Sequence, residues 1–148
     1  MKSRIHNPKK MKQPIDFKNC GINDGMYPTD IDGLLEYNDS TYFLFEVKYK
    51  DSEVPIGQKL ALTRMVDDFT KVGKQAISII CCHDIKNPNK PVEMARCKVR
   101  EIYYGDEKQW RSPMREITVR EAIDGFQEHS NFVIHNKGVD ESEKTESA

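Results

Sequence analysis

The sequence lacks any apolar run long enough to cross a membrane. Its longest largely apolar stretch, residues 76–82, is far shorter than the roughly 18–20 residues that a membrane-spanning helix needs. The basic residues near the N-terminus are not followed by an apolar segment or a small-residue cleavage site, which a secretory signal would require. We therefore expect an intracellular, cytoplasmic protein with no membrane partner.

The chain also lacks an excess of either charge, since 23 Lys and Arg residues face 24 Asp and Glu residues. It therefore has no global positive field of the kind that drives non-specific DNA binding, and any nucleic-acid contact must come from a local patch. Charged residues make up 32% of the 148 residues, above the usual value of about 25%. The length and composition predict one polar-surfaced globular domain with a proper core.

A C-x-x-C motif is likewise missing, and the four cysteines include an adjacent pair, Cys81 and Cys82. This pattern fits neither a disulfide framework nor a zinc knuckle. A metal site formed by this pair with His83 and Cys97 is disfavoured, because neighbouring residues of a strand point to opposite faces. We expect reduced and mostly buried cysteines.

The residues that are present predict an α/β fold with a mixed central β-sheet flanked by helices. Hydrophobic patterning predicts strands over residues 31–37, 41–49, 75–83 and 92–104, and helices over residues 56–71 and from a Thr118–Glu121 capping box to about residue 129. We expect residues 13–135 to form the domain, between a flexible basic arm over residues 1–12 and a disordered acidic tail over residues 136–148.

Three acids and one lysine lie in or directly before the first two predicted strands, namely Asp30, Asp32, Glu46 and Lys48. Charges inside hydrophobic strands are disfavoured unless they are paired or bind a metal. If the two strands form a hairpin with a loop at residues 38–40, Asp32 lies opposite Glu46 and Asp30 lies opposite Lys48. All four side chains then share one face of the sheet.

Two carboxylates at this spacing suit one divalent cation. Hard oxygen ligands without convergent Cys or His favour Mg²⁺, with Mn²⁺ as a substitute, over zinc. A solvent-facing ion pair is the alternative for Glu46 and Lys48, but Leu34 and Leu44 on the same face argue against a fully wet surface. For Asp30 the alternative is a turn or cap role.

The arrangement resembles the PD-(D/E)xK nuclease superfamily, in which an Asp on one strand precedes (D/E)-x-K on the next. Asp32 takes the first position, Glu46 the acidic position and Lys48 the lysine position. Gln58 is similar to the glutamine of a helix that follows the lysine strand in some branches, and the pairing of "TDIDG" with "EVK" resembles small phage-encoded nucleases. The resemblance covers about residues 28–70 and implies a restriction-endonuclease-like core.

This resemblance implies a Mg²⁺-dependent nuclease that hydrolyses DNA phosphodiester bonds. Asp32, Glu46 and the backbone carbonyl of Val47 would bind the metal with Asp30 as a further candidate, while Lys48 would lie near the attacking water. Gln58 is a candidate catalytic residue, and the alternative is an ordinary polar residue in the first turn of a helix. The alternative is a catalytically inactive nuclease-like fold that binds nucleic acid or a protein partner.

One feature departs from the family pattern. Many members contribute a glutamate from an N-terminal helix, but the first glutamate of this chain is Glu36. Asp16, Asp24 and Asp30 are the candidates for that position among the preceding acids. The alternative is a site that holds only one metal ion well.

Alternating cations over residues 96–100 are the predicted DNA contact, namely Arg96, Lys98 and Arg100. The competing interpretation is that they protect an edge strand against aggregation. The basic arm is a second candidate for DNA contact. Cutting both strands of a duplex usually needs two sites, which makes a homodimer a candidate state, but the sequence shows no self-complementary surface for it.

Overall fold

A computed structural model of the chain describes residues 13–22 and 25–129. The chain divides into two units, Met1–Asp30 and Ile31–Ala148. The predicted basic arm and acidic tail lie outside the described residues, and the predicted domain limits of 13 and 135 remain a prediction. No helix of the described part is long and apolar enough to cross a membrane.

The described part of the first unit is held by local backbone contacts. The N–H of Ile22 donates to the carbonyl of Met26 over 2.9 Å, around Gly25 with a φ of +75°. That φ suits glycine, which has no Cβ to oppose it. Most large apolar side chains in the described part of this unit are exposed, Ile15 and Tyr27 among them, while Phe17 is half-buried.

The second unit contains a five-stranded mixed sheet with the strand order β1-β2-β3-β4-β5. The strands are β1 (Gly33–Tyr37), β2 (Thr41–Tyr49), β3 (Gln75–His83), β4 (Lys98–Tyr104) and β5 (Gln109–Arg111). The β2 and β3 strands are parallel, and every other neighbouring pair is antiparallel. This confirms the predicted mixed sheet.

The β1–β2 hairpin has the predicted register, from Tyr37 paired with Thr41 to Gly33 paired with Phe45. Its turn uses left-handed backbone at residues 38 and 39, with φ values of 49° and 54°, which Asn and Asp tolerate better than most residues. However, β1 begins at Gly33 rather than at residue 31, so Asp32 precedes the strand instead of lying within it.

Two α-helices lie in the described part of this unit, up to residue 129, at the predicted positions. Helix α1 (Ile56–Lys71) is followed by Gly73 with a φ of +84°, where glycine relieves the strain of a left-handed residue. Helix α2 covers residues 119–129. The capping box before it is present, because Thr118 N–H bonds Glu121 Oε1 and Glu121 N–H bonds Thr118 Oγ1, both over 3.2 Å.

The helices cover opposite faces of the sheet, which therefore forms the middle of three layers. One core contains side chains from alternate strand positions and from α2, including Phe43, Phe45, Ile77, Ile79, Val119 and Ile123. The other core lies against α1 and contains Leu44, Leu62, Val66, Ala76 and Tyr103. The alternation of side chains along β2 thus sends consecutive residues into different cores.

The structure does not contain the single long strand that was predicted over residues 92–104. Met94–Arg96 forms a 3₁₀ turn, and β4 begins only at Lys98. The β5 strand is an addition that the sequence analysis did not predict, because three residues are too few to show an alternating pattern.

Candidate active site

A buried carboxylate lies at the centre of the polar cluster on the α1 face. Glu46 is only 3% exposed. Its Oε1 lies 2.9 Å from Nζ of Lys48, and its Oε2 accepts a hydrogen bond of 2.8 Å from Nε2 of Gln58. Nζ of Lys48 also donates to Oε1 of Gln58 over 3.4 Å. These three side chains are called the Glu46 cluster below.

The positions of these residues follow from the local sequence. Glu46 and Lys48 are two residues apart on β2, so both point toward α1. Gln58 lies in the first turn of α1 and is 8% exposed. The N-terminal end of a helix carries partial positive charge, which favours a carboxylate nearby. The predicted association of Gln58 with the acid and the lysine is therefore present in the structure.

Asp32 contacts the same strand at the neighbouring position. Its Oδ2 accepts a hydrogen bond of 2.7 Å from the backbone N–H of Val47. Because the β1 ladder ends at Gly33, this carboxylate bonds an N–H that a longer β1 would have paired. The N–H and C=O of one strand residue point to the same side, so the Val47 carbonyl faces the edge where Asp32 lies.

These groups fit a hard cation in their chemistry. Mg²⁺ is commonly held by one or two carboxylates and keeps several waters. Asp32, Glu46 and the Val47 carbonyl supply oxygen donors of this kind from adjacent positions. No group of three or more His, Cys, Asp or Glu side chains placed to hold a metal occurs among the described residues. A cation here would therefore rely on two carboxylates, one carbonyl and water.

The other acids considered as metal ligands precede Asp32 in the chain, and they belong to the first unit or lie outside the described residues. Asp30 and Asp16 are in the first unit, and Asp30 is exposed. Asp24 lies outside the described residues. A role for Asp30 in metal binding remains a prediction.

The three predicted DNA-binding cations do not lie on one strand. Arg96 ends the 3₁₀ turn and is 3.8 Å from a carboxylate oxygen of Glu93. Lys98 and Arg100 belong to β4, which lies between β3 and β5. The segment before α2 also covers its first residues, where Val99 N–H donates to the carbonyl of Ile117. β4 is therefore not an edge strand over Ile102–Tyr104, where it pairs with β5, and the roles of the three cations remain a prediction.

Two contacts at this end of the α1 face were missed by the sequence analysis. Nζ of Lys59 lies 2.9 Å from Oε2 of Glu101, and Nη1 of Arg100 donates to the carbonyl of Ser52 over 2.6 Å. Their partners are 42 and 48 residues apart in the chain. No local pattern indicates such pairs, since only the order of strands brings them together.

The cysteines occupy the two faces as their spacing predicts. Cys81 and Cys97 are buried in the core beneath α2, and burial raises the pKa of both thiols, which leaves them unreactive. Cys82 is half-buried on the opposite face. Cys20 is exposed, unlike the predicted majority.

Comparison of the chain with profiles of known protein families, with curated proteins and with solved structures found no match. The interpretation of the site therefore rests on its own residues.

Proposed function

We propose that this chain is a metal-dependent nuclease of the PD-(D/E)xK type, with a restriction-endonuclease-like core, that hydrolyses phosphodiester bonds of DNA. One observation carries the proposal. The acid and the lysine of the E-x-K strand are held together by Gln58 of the following helix, and Asp32 is bonded to the residue between them. An ordinary structural ion pair does not require this third and fourth polar group.

Each residue has a role that follows from its surroundings. Asp32, Glu46 and the Val47 carbonyl would hold Mg²⁺ or Mn²⁺, which supplies Lewis-acid activation at the phosphate. Lys48 brings a positive charge to a half-buried position, where it stabilises the charge that develops on the phosphate oxygens. Gln58 orients both Glu46 and Lys48 through its two amide atoms.

A second candidate function is a nuclease-like fold that binds nucleic acid or a protein without cleaving it. The observation that favours it is that both carboxylate oxygens of Glu46 already have donor partners, namely Lys48 and Gln58. Metal binding by Glu46 would then have to compete with the Lys48 ammonium.

The decisive variants are Glu46→Ala and Lys48→Ala. A carboxylate ligates a cation and an ammonium does not, so Glu46→Ala is expected to lose both Mn²⁺ binding and cleavage. Lys48→Ala should retain Mn²⁺ binding and lose about 10²–10³-fold in cleavage rate, as for removal of one transition-state donor. The measurements are calorimetry with Mn²⁺ and incubation of circular and linear DNA with Mg²⁺.

The neighbouring ion pair offers matched controls. Lys59→Ala and Glu101→Ala remove the same residue types from the same face and are expected to leave metal affinity unchanged. Adding a chelator to the wild-type protein should abolish cleavage. Equal Mn²⁺ affinity of the wild type and Glu46→Ala would refute the ligand role of Glu46, and a wild type that binds DNA without cutting it would favour the second function.

A further inference from the structure

The pairing of β3 with β4 contains a one-residue shift. Ile80 pairs with Glu101, whereas the next residue, Cys81, pairs with Val99. Arg100 therefore has no partner position on β3, as expected for the extra residue of a β-bulge. Such a residue interrupts the alternation of side chains between the two faces of the strand.

The burial of the neighbouring residues shows which face Arg100 occupies. Val99 and Ile102 both belong to the core beneath α2, although they are three residues apart. Regular alternation would have placed Lys98 and Arg100 on the same face as Ile102, away from the Glu46 cluster. With the bulge, Lys98 and Arg100 lie on the α1 face instead.

On that face the register aligns two lysines across three strands. Lys48 of β2 pairs with Cys82 of β3, and Cys82 pairs with Lys98 of β4. Two inter-strand spacings amount to about 9.6 Å between the Cα atoms of the lysines. The Arg100 side chain reaches across the same face, since its Nη1 bonds the Ser52 carbonyl in the segment between β2 and α1.

The positive charges of Lys98 and Arg100 are only weakly compensated. Lys98 lies 3.6 Å from Glu116, and both side chains are more than half exposed, so this ion pair contributes little. The Ser52 partner of Arg100 is an uncharged carbonyl and uses one of the five guanidinium N–H groups. Both cations can thus bind an additional anion without losing an essential partner.

We propose that Lys98 and Arg100 bind the phosphate backbone of the nucleic-acid strand next to the Glu46 cluster, and that the bulge at Arg100 is what turns them toward it. Arginine presents two parallel N–H groups to a phosphate, and lysine presents a compact charge. The inference rests on the proposed nuclease function and specifies how its substrate is held.

The first experiment measures DNA affinity against salt concentration in the presence of a chelator, so that no cleavage occurs. In a plot of log affinity against log salt concentration, the double variant Lys98→Gln/Arg100→Gln is expected to have a less steep negative slope. The magnitude should fall by about 1.8 on duplex DNA or about 1.4 on a single strand. The matched control is Lys71→Gln/Arg120→Gln. Lys71 lies at the far end of α1, and Arg120 lies on α2, on the opposite face.

A second experiment leaves both cations in place and tests the charge preference of this surface directly. In a Cys20→Ser background, the half-buried Cys82 is the most accessible remaining thiol, because Cys81 and Cys97 are buried. Methanethiosulfonate reagents of similar size add either an ammonium or a sulfonate group to that thiol. The ammonium form is expected to bind DNA more tightly than the sulfonate form, with a difference of at least several-fold at low salt.

The outcomes separate this inference from the proposed function. An unchanged slope in the double variant, equal affinity of the two labelled forms, or a wild type that does not bind DNA would each overturn the inference. If the wild type cleaves DNA in Mg²⁺ while the slope is unchanged, the nuclease function stands without this phosphate contact. If the slope falls as expected but no cleavage occurs, the phosphate contact stands and catalysis does not.

Discussion

The two faces of the sheet bury different kinds of side chain, although a helix covers each of them. Beneath α2 the core is hydrocarbon and thiol, with Phe43, Ile77 and Ile79 at most 2% exposed. Beneath α1 the core is also apolar along most of its length. At the N-terminal end of that helix, however, it gives way to Glu46, Gln58 and the ion pairs beside them.

This difference indicates that a helix can pack on this sheet without a buried polar cluster. An equivalent helix–sheet contact is made on the other face without any charged group. Burying a carboxylate and an ammonium costs desolvation energy that their attraction does not always offset. We therefore expect that the Glu46 cluster serves a purpose other than stability.

The largest expected effect on stability comes from a substitution in the apolar core beneath α2. Phe43 packs edge-on against Phe126 with ring centroids 5.1 Å apart. Phe43→Ala should lower the free energy of unfolding by about 3–5 kcal/mol, because it removes buried area and leaves a cavity. Urea denaturation measures the change. Tyr37→Ala is the control, since this aromatic residue is 62% exposed, and a loss below about 1 kcal/mol for Phe43→Ala would contradict the packing.

A second test asks whether the Glu46 cluster is a cost to stability. The triple variant Glu46→Met/Lys48→Met/Gln58→Met is expected to keep or raise the free energy of unfolding, by up to about 4 kcal/mol, because it replaces buried charge by hydrocarbon. Glu46→Met alone should lower it by up to about 3 kcal/mol, since Lys48 loses its carboxylate. A triple variant less stable than the wild type would mean that the cluster serves the fold.

The smallest effect concerns the α1 face away from the cluster. Tyr103 Oη donates to Asp67 Oδ1 over 2.7 Å, and Tyr103→Phe should cost about 1 kcal/mol at neutral pH. Burial, with the Asp67 carboxylate, raises the pKa of Tyr103 from 10.0 to about 12. The contribution of the neutral phenol is complete below pH 10 and is lost between pH 10 and about 12.

Unfolding experiments at alkaline pH test whether stability falls over this pH range. The wild type should lose stability over that pH range more steeply than Tyr103→Phe, whereas Tyr37→Phe should behave as the wild type does. Identical alkaline profiles for the wild type and Tyr103→Phe would contradict a raised pKa for Tyr103.

Much of the fold was predictable because its signals are local. The period of apolar residues set the limits of α1, and the strands β2 and β3 begin and end at the predicted residues. The turn residues at 38–40 set the hairpin register. The Glu46 cluster was also anticipated, since Glu46 and Lys48 are two positions apart on one strand and Gln58 opens the next helix.

Other features carry no local signal. The late start of β1, at Gly33 instead of residue 31, was missed because the Asp32 carboxylate, rather than a backbone carbonyl, accepts the hydrogen bond from Val47 N–H. The pair formed by Lys59 and Glu101 joins elements far apart in the chain. Sequence patterns cannot show such contacts, since they depend on which strands become neighbours.

The sequence by itself determined the helices, the central strands and the acid, lysine and glutamine of the candidate site, because each depends on spacing along a short segment. Only the tertiary structure decided the face on which Lys98 and Arg100 lie. Alternation along β4 would send them beneath α2, but one extra residue in the pairing with β3 turns them toward the Glu46 cluster. A bulge is a property of two strands together, and neither strand encodes it alone.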